Sequence, residues 1–314
     1  MTNTFVHEFA AMGTAVSVRI VGVEAGEGRD AAGRAARWFT DIEACCNRFD
    51  PASELRVLCA QHAGTSVPAS AMLFEAVRYA LAIAEETDGA FDPTIGVRLE
   101  ALGFDRDYRS GARVGSGLAA AGASTPTWRD VRLDESARAI ILDRPLLLDL
   151  GAVAKGLAVD LAARELAAYP DFAIDAGGDL YLAGRNERGE SWTVGVRHPR
   201  APGDLIDIVR VSDAAVCTSG DYERRAPAGA HHIIDPATGA PADAVASVTV
   251  VAPAALPADA LGTAAFALGA ARGLAFLERS GVEALIVTPA LERFATVGFP
   301  TIAHVRDVAI TAAR

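Results

Sequence analysis

Segment 146–160, LLLDLGAVAKGLAVD, holds residue types that anion chemistry needs. Its apolar run predicts a strand ending at Asp149, Gly151 permits a tight turn, and a helix over 151–169 opens with Lys155 in its first turns. Helix N-termini expose unpaired N–H groups, and an ammonium adds positive charge, so the arrangement suits a phosphate. The glycine spacing is not that of a Walker A loop. Pattern alone favours the plainer reading, in which Asp149 is a cap and Lys155 a solvated side chain. In 258–269, ADALGTAAFALG, Asp259 and Thr263 lie four apart on a predicted helix and share a face. A carboxylate beside a hydroxyl suits a hard cation such as Mg²⁺. The plainer reading here is an N-cap and a back-bonded threonine, and it too is the commoner one.

Weaker signals surround these two. GAFDPT (89–94) sets Asp92 in a Gly/Pro-bracketed turn, and HHIIDPATGAP (231–241) sets His231, His232 and Asp235 near another. Adjacent strand residues point to opposite faces, so the histidines do not chelate one ion together, and one of them is the better general base. DAGGDLYLAG (175–184) offers paired glycines for close backbone approach, and CTSGDYERR (217–225) offers the hydroxyls of Thr218 and Ser219. FDPT and IDPAT echo each other, too briefly to establish a repeat.

These groups must be positioned by alternating strands and helices. Strands are predicted at 14–22, 171–176, 179–183, 192–197, 205–211, 246–252 and 282–288, with a hairpin over 131–142 and a weaker closing pair. Helices are predicted over 29–46, 68–87 and 258–278. Strands outnumber helices and are mostly hairpin-connected, which argues α+β over a doubly wound sheet. The Gly/Ser/Ala-rich stretch 109–127 reads as a mobile surface excursion. The 314 residues are expected to form one unit, divisible into two subdomains.

Composition excludes several classes. Hydrophobic residues make up 51% and charged residues 22%, so a core is available. The net charge of −11 disfavours general nucleic-acid binding. Four cysteines without CxxC spacing propose neither a disulfide scaffold nor a zinc knuckle. No uncharged run is long enough to span a membrane. The start has no basic n-region, apolar h-region or lipobox cysteine, from which a cytoplasmic protein is expected.

In order along the chain, MGT (12–14), RFDPASEL (48–55), GAFDPT, DLGAVAKG, GGD (177–179), TSGDYERR, HHIIDPATG and ADALGT resemble the ApbE family of FAD:protein FMN transferases. The resemblance implies an α+β fold related to a duplicated T-fold. It implies Mg²⁺-dependent transfer of the FMN half of FAD onto a Thr or Ser hydroxyl of an acceptor protein, with release of AMP. Flavin-binding positions would be Met12, Phe49, Ala90, Phe91, Asp92, Asp149, Lys155 and Ile234. The Ala152 carbonyl, Asp259 and Thr263 would hold Mg²⁺, and His232 would be the base. Two departures stand out: Gly262 where some members carry a second aspartate, and Phe49 where a tyrosine is common. The same residues would also serve FAD hydrolysis to FMN and AMP, or flavin binding without turnover.

Overall fold

The computed structural model describes residues 3–118, 125–226 and 229–303. Its first strands are β1 (Thr4–Ala11) and β2 (Thr14–Val21), followed by helices α1 (Ala25–Cys46) and α2 (Glu54–Cys59). Next come β3 (Ser66–Pro68), α3 (Ala71–Glu86), α4 (Gly96–Ala101), and the hairpin β4 (Val131–Asp134) and β5 (Ala139–Leu142). Helix α5 (Ala154–Glu165) leads into β6 (Phe172–Ala176), β7 (Asp179–Ala183), β8 (Trp192–Arg197), β9 (Leu205–Val211) and β10 (Ala214–Gly220). The described chain closes with β11 (Ser247–Ala252), α6 (Ala255–Leu268), α7 (Ala270–Arg279), β12 (Glu283–Val287), β13 (Arg293–Ala295) and β14 (Thr301–Ala303).

Eight strands form one sheet in the order β1-β2-β6-β7-β10-β11-β12-β13, antiparallel throughout. Two consecutive units build it, each a strand pair, a helical connection and a second strand pair. The first is β1-β2, α1 to α5, β6-β7; the second is β10-β11, α6-α7, β12-β13. The expected duplication is therefore visible in the topology. FDPT lies in the first unit's connection, whereas IDPAT joins β10 to β11, so their echo does not mark equivalent positions.

Alternation decides which face each strand buries. In β2, Val16, Val18 and Ile20 are buried while Ser17 and Arg19 are partly exposed, the pattern of a half-buried strand. That face packs on α1, α3, α5 and α6 around Phe39, Ile42, Val77 and Phe266. The opposite face carries Val21, Leu182, Val216 and Leu285, and the small sheet β14-β9-β8 covers it with Trp192, Val209 and Phe299.

Several boundaries differ from expectation. Leu146–Leu148 is not a ladder strand: it is buried, makes one bridge from Leu147 to Ile95, and its backbone bonds run from Gly96 N–H to the Leu147 carbonyl and from Leu148 N–H to Cys59 Sγ. Helix α5 begins at Ala154 and not at Gly151, because Asp149 Oδ1 accepts the Gly151 N–H at 2.8 Å and holds a turn there. The long helix at 258–278 is two helices, broken at Gly269 with φ +81°. β1 was unanticipated, being an edge strand with weak burial contrast. β10 falls where no strand is predicted, yet it is paired on both sides, by β7 and β11. In the 109–127 stretch, the described part is tied down by Arg109 to Glu43 (2.6 Å) and Ser116 to Glu100 (2.6 Å); residues 119–124 lie outside the described residues.

Candidate functional site

The site is built at the crossing of α5 and α6. Gly156 makes the crossing possible: a Cβ there would lie 2.6 Å from the Ala255 carbonyl oxygen. Asp160 then caps α6 by accepting the N–H groups of Ala255 (2.7 Å) and Leu256 (2.9 Å). This close approach brings Lys155 of α5 and Asp259 of α6 into one buried cluster with Asp179, which opens β7.

Lys155 Nζ donates to Asp179 Oδ2, and Asp179 is only 1% exposed. Burial works against the ammonium, but the Asp179 and Asp259 carboxylates outweigh it and hold Lys155 charged. Asp259 is 6% exposed, and its carboxyl is pushed up to about 7 by burial and by the neighbouring Asp179. Lys155 and the Gly156 backbone oppose that rise. Its Oδ2 is buried with no hydrogen-bond partner. One turn on, Thr263 Oγ1 lies 3.1 Å from Ser219 Oγ of β10. An orphaned carboxylate oxygen one helical turn from a hydroxyl is a hard donor set, so Asp259 and Thr263 fit Mg²⁺. Ala152 sits in the turn that precedes α5.

A second group stands at the entrance to α5. Arg48, 6% exposed, donates from Nε to Asp149 Oδ2 at 2.5 Å, and its guanidinium lies 4.0 Å from the centroid of the Phe49 ring. Burial of Asp149 is overcome chiefly by Arg48, and the carboxyl is held below its usual range. Thus Asp149 caps a turn, as the plainer reading had it, and also forms a buried ion pair.

His232 stands beside this group. The Arg225–His231 bridge sets Arg224 opposite His232, whose ring hydrogen-bonds to the Arg224 backbone. Its Nδ1 is buried without a partner. Burial and the Arg224 charge push the imidazole down to about 3, so it is neutral near pH 7. The Arg224 charge also acts on Asp149 and Lys155, linking the three groups electrostatically. His231 is oriented elsewhere, against Phe266 and 3.4 Å from Asp243.

The remaining predicted positions frame these clusters. Met12 (φ +52°) and Gly13 (φ +76°) form the two-residue turn between β1 and β2; a methionine there is strained backbone. Glu43 supports that turn, accepting from Met12 N (3.2 Å), Tyr108 Oη (2.8 Å) and Arg109 Nη2 (2.6 Å). Glu43→Ala is expected to cost about 1–2 kcal/mol, chiefly by leaving the Met12 N–H without its carboxylate while the exposed Tyr108 and Arg109 turn to water, read as a lower midpoint in urea unfolding. Ala90, Phe91 and Asp92 lie in the loop after α3. Asp92 spends its oxygens on Thr94 N (2.8 Å), Thr94 Oγ1 (2.7 Å) and Trp128 N (3.0 Å), beside a cavity of about 150 Å³ that Arg98 and Pro236 also line. Arg98 donates to the Pro236 carbonyl, joining this loop to the 231–241 segment, in which Ile234 is buried. Lys155 and Asp259 therefore meet through Asp179, Thr263 follows Asp259 by one turn of α6 and contacts Ser219, and the Arg224 charge acts on Asp149, His232 and Lys155 together. Met12 and Asp92 occupy separate turns.

Sequence reasoning missed Asp179, Arg48 and Arg224 as site residues. The motifs GGD, RFDPASEL and TSGDYERR contain all three, but no spacing in the sequence pairs Lys155 with a carboxylate 24 residues away, or Arg48 with one 101 away.

An antiparallel α+β fold with a buried cation–carboxylate cluster defines the class; comparison identifies the lineage. The profile described as the ApbE family matches residues 12–286. A Treponema pallidum protein named FAD:protein FMN transferase is 36% identical over 277 residues, covering 77% of this chain and 72% of the relative. One of the same name from Rhodobacter capsulatus is 31% identical, covering 88% of this chain and 54% of the relative. The crystal structure of the ApbE protein from Thermotoga maritima superposes with a TM-score of 0.81 at 31% identity, covering 95% of this chain and 98% of that one. The chain belongs to the ApbE family.

Proposed function

We propose that this chain transfers FMN from FAD to a Thr or Ser hydroxyl of an acceptor protein and releases AMP, with Mg²⁺ held by Asp259 and Thr263. The observation that carries this reading is the ammonium of Lys155 buried beside an unpartnered oxygen of Asp259. Such a pair is poised for a charged diphosphate and its cation. The names borne by the relatives support the same reading.

The chemistry follows from the residues. The acceptor hydroxyl oxygen attacks the FMN phosphorus, and the bond from that phosphorus to the bridging oxygen breaks, so AMP leaves with that oxygen. Lys155 offsets charge on the diphosphate, an effect that depends on preset geometry because Asp179 already fixes the ammonium. Mg²⁺, when bound, supplies further neutralisation of the phosphate oxygens. His232 Nδ1, neutral and without a partner, takes the hydroxyl proton. The arriving diphosphate raises the basicity of that ring, because negative charge favours the imidazolium.

The reading is tested by incubating the protein with FAD, Mg²⁺ and a candidate flavoprotein domain. Intact mass should show an FMN-sized gain on the acceptor with stoichiometric AMP. AMP and FMN formed without an adduct would instead mean hydrolysis, and FAD recovered intact would mean binding without turnover. His232→Ala is expected to slow transfer by ~10²–10⁴-fold with FAD affinity retained. His232 is also an acid-lability group. Its folded pKa lies below the unfolded value, so its contribution is present above about 6.5 and lost as pH falls towards 3. Acid unfolding of His232→Asn should therefore be shallower across that window.

A further inference from the structure

We infer that Arg48 is a positioning residue that presets Asp149 and the start of α5 for FAD. This inference rests on the FMN-transfer reading above. Arg48 follows α1 in a loop, where an arginine ordinarily reaches into water, yet it is 6% exposed. Its guanidinium reaches a residue 101 positions away, Nε donating to Asp149 at 2.5 Å, while its neighbour Phe49 places a ring 4.0 Å from it. Nη1 is buried with no partner among the described residues, a cost that an arginine selected only for stability would avoid.

Asp149 transmits the effect. Its other oxygen accepts the Gly151 N–H at 2.8 Å, and its own N–H donates to the Pro93 carbonyl at 2.7 Å. The carboxylate thus fixes the turn from which α5 starts, and Lys155 lies in the first turn of that helix. Release of Asp149 from Arg48 frees that turn and the Asp149 carboxylate itself, while Lys155 stays anchored on Asp179. A planar, stacked, hydrogen-bonded guanidinium is not replaced by an ammonium, so Arg48→Lys keeps the charge and loses the geometry.

Steady-state transfer with Arg48→Lys tests this. KM for FAD is expected to rise ~10–100-fold, the effect of one charge-assisted hydrogen bond, with kcat within about threefold. If Arg48 acts through Asp149, the double variant Arg48→Lys/Asp149→Asn will be no worse than the poorer single variant. Should Arg48→Lys fold poorly, Arg48→Gln serves in its place, compared at a temperature where its circular dichroism equals that of the parent. A lowered midpoint with unchanged KM would overturn the inference by assigning Arg48 to stability alone. Additive losses in the double variant would overturn it too, by separating Arg48 from Asp149. Absence of any FMN transfer by the unmutated protein would instead refute the functional reading.

Discussion

Asp259→Asn will slow FMN transfer by at least ~10²-fold and yet make the metal-free protein more stable at neutral pH, two effects of opposite sign from one carboxylate. The loss follows from removing the charged oxygen proposed to hold Mg²⁺. The gain follows from the site's electrostatics. Burial comes first and the neighbouring Asp179 second in pushing this carboxyl up to about 7, so the folded protein holds its proton more tightly than the unfolded chain. A raised folded value means a contribution that is complete below the unfolded value near 4 and lost as pH rises through about 7. The cost at pH 8 is on the order of a few kcal/mol. Chemical denaturation from pH 4 to 8 should therefore show a falling contribution in the parent that is absent in Asp259→Asn. Mg²⁺ should raise the unfolding midpoint of the parent at pH 8 and leave the variant's unmoved. An equal rise in both would remove Asp259 from the metal assignment.

Lys155→Met is expected to damage both stability and activity. It leaves Asp179, 1% exposed, facing Asp259 without a counter-charge, and breaking a buried pair in this way costs about 3–5 kcal/mol. Transfer should fall by ~10²–10³-fold, since the preset ammonium opposite the diphosphate is gone. The double variant Lys155→Met/Asp259→Asn separates the two effects. Removing one of the crowded carboxylates should restore ~1–3 kcal/mol of stability while transfer stays at the level of the single variants. Failure of stability to recover would mean that Lys155 and Asp259 do not share a cluster.

Much of the architecture was legible in the sequence because it rests on local rules. Alternation in 14–22 placed β2, the apolar run 246–252 placed β11, and helical spacing placed α1 and α3. Non-local pairing hid the rest. β10 ends in Thr218-Ser219-Gly220, residues that read as a turn, and only ladders to β7 and β11 make it a strand. Leu146–Leu148 has the composition of a strand and no ladder partner, so it is a buried plug.

For the site, motif order determined which side chains were candidates: the helix start at Lys155 and the i, i+4 pair Asp259 and Thr263 favoured plainer readings singly, and only the ordered motifs raised them to site residues. Their environment was decided only by tertiary structure. Whether a carboxylate sits near its ordinary value or is pushed to about 7 depends on what surrounds it, and Asp259 is surrounded by residues from α5 and β7. Likewise the Arg48–Asp149 pair exists because two loops meet 101 residues apart in the chain. Chain order carries chemical identity, but charge, desolvation and hydrogen bonding act through space, and that is why the fold had to supply them.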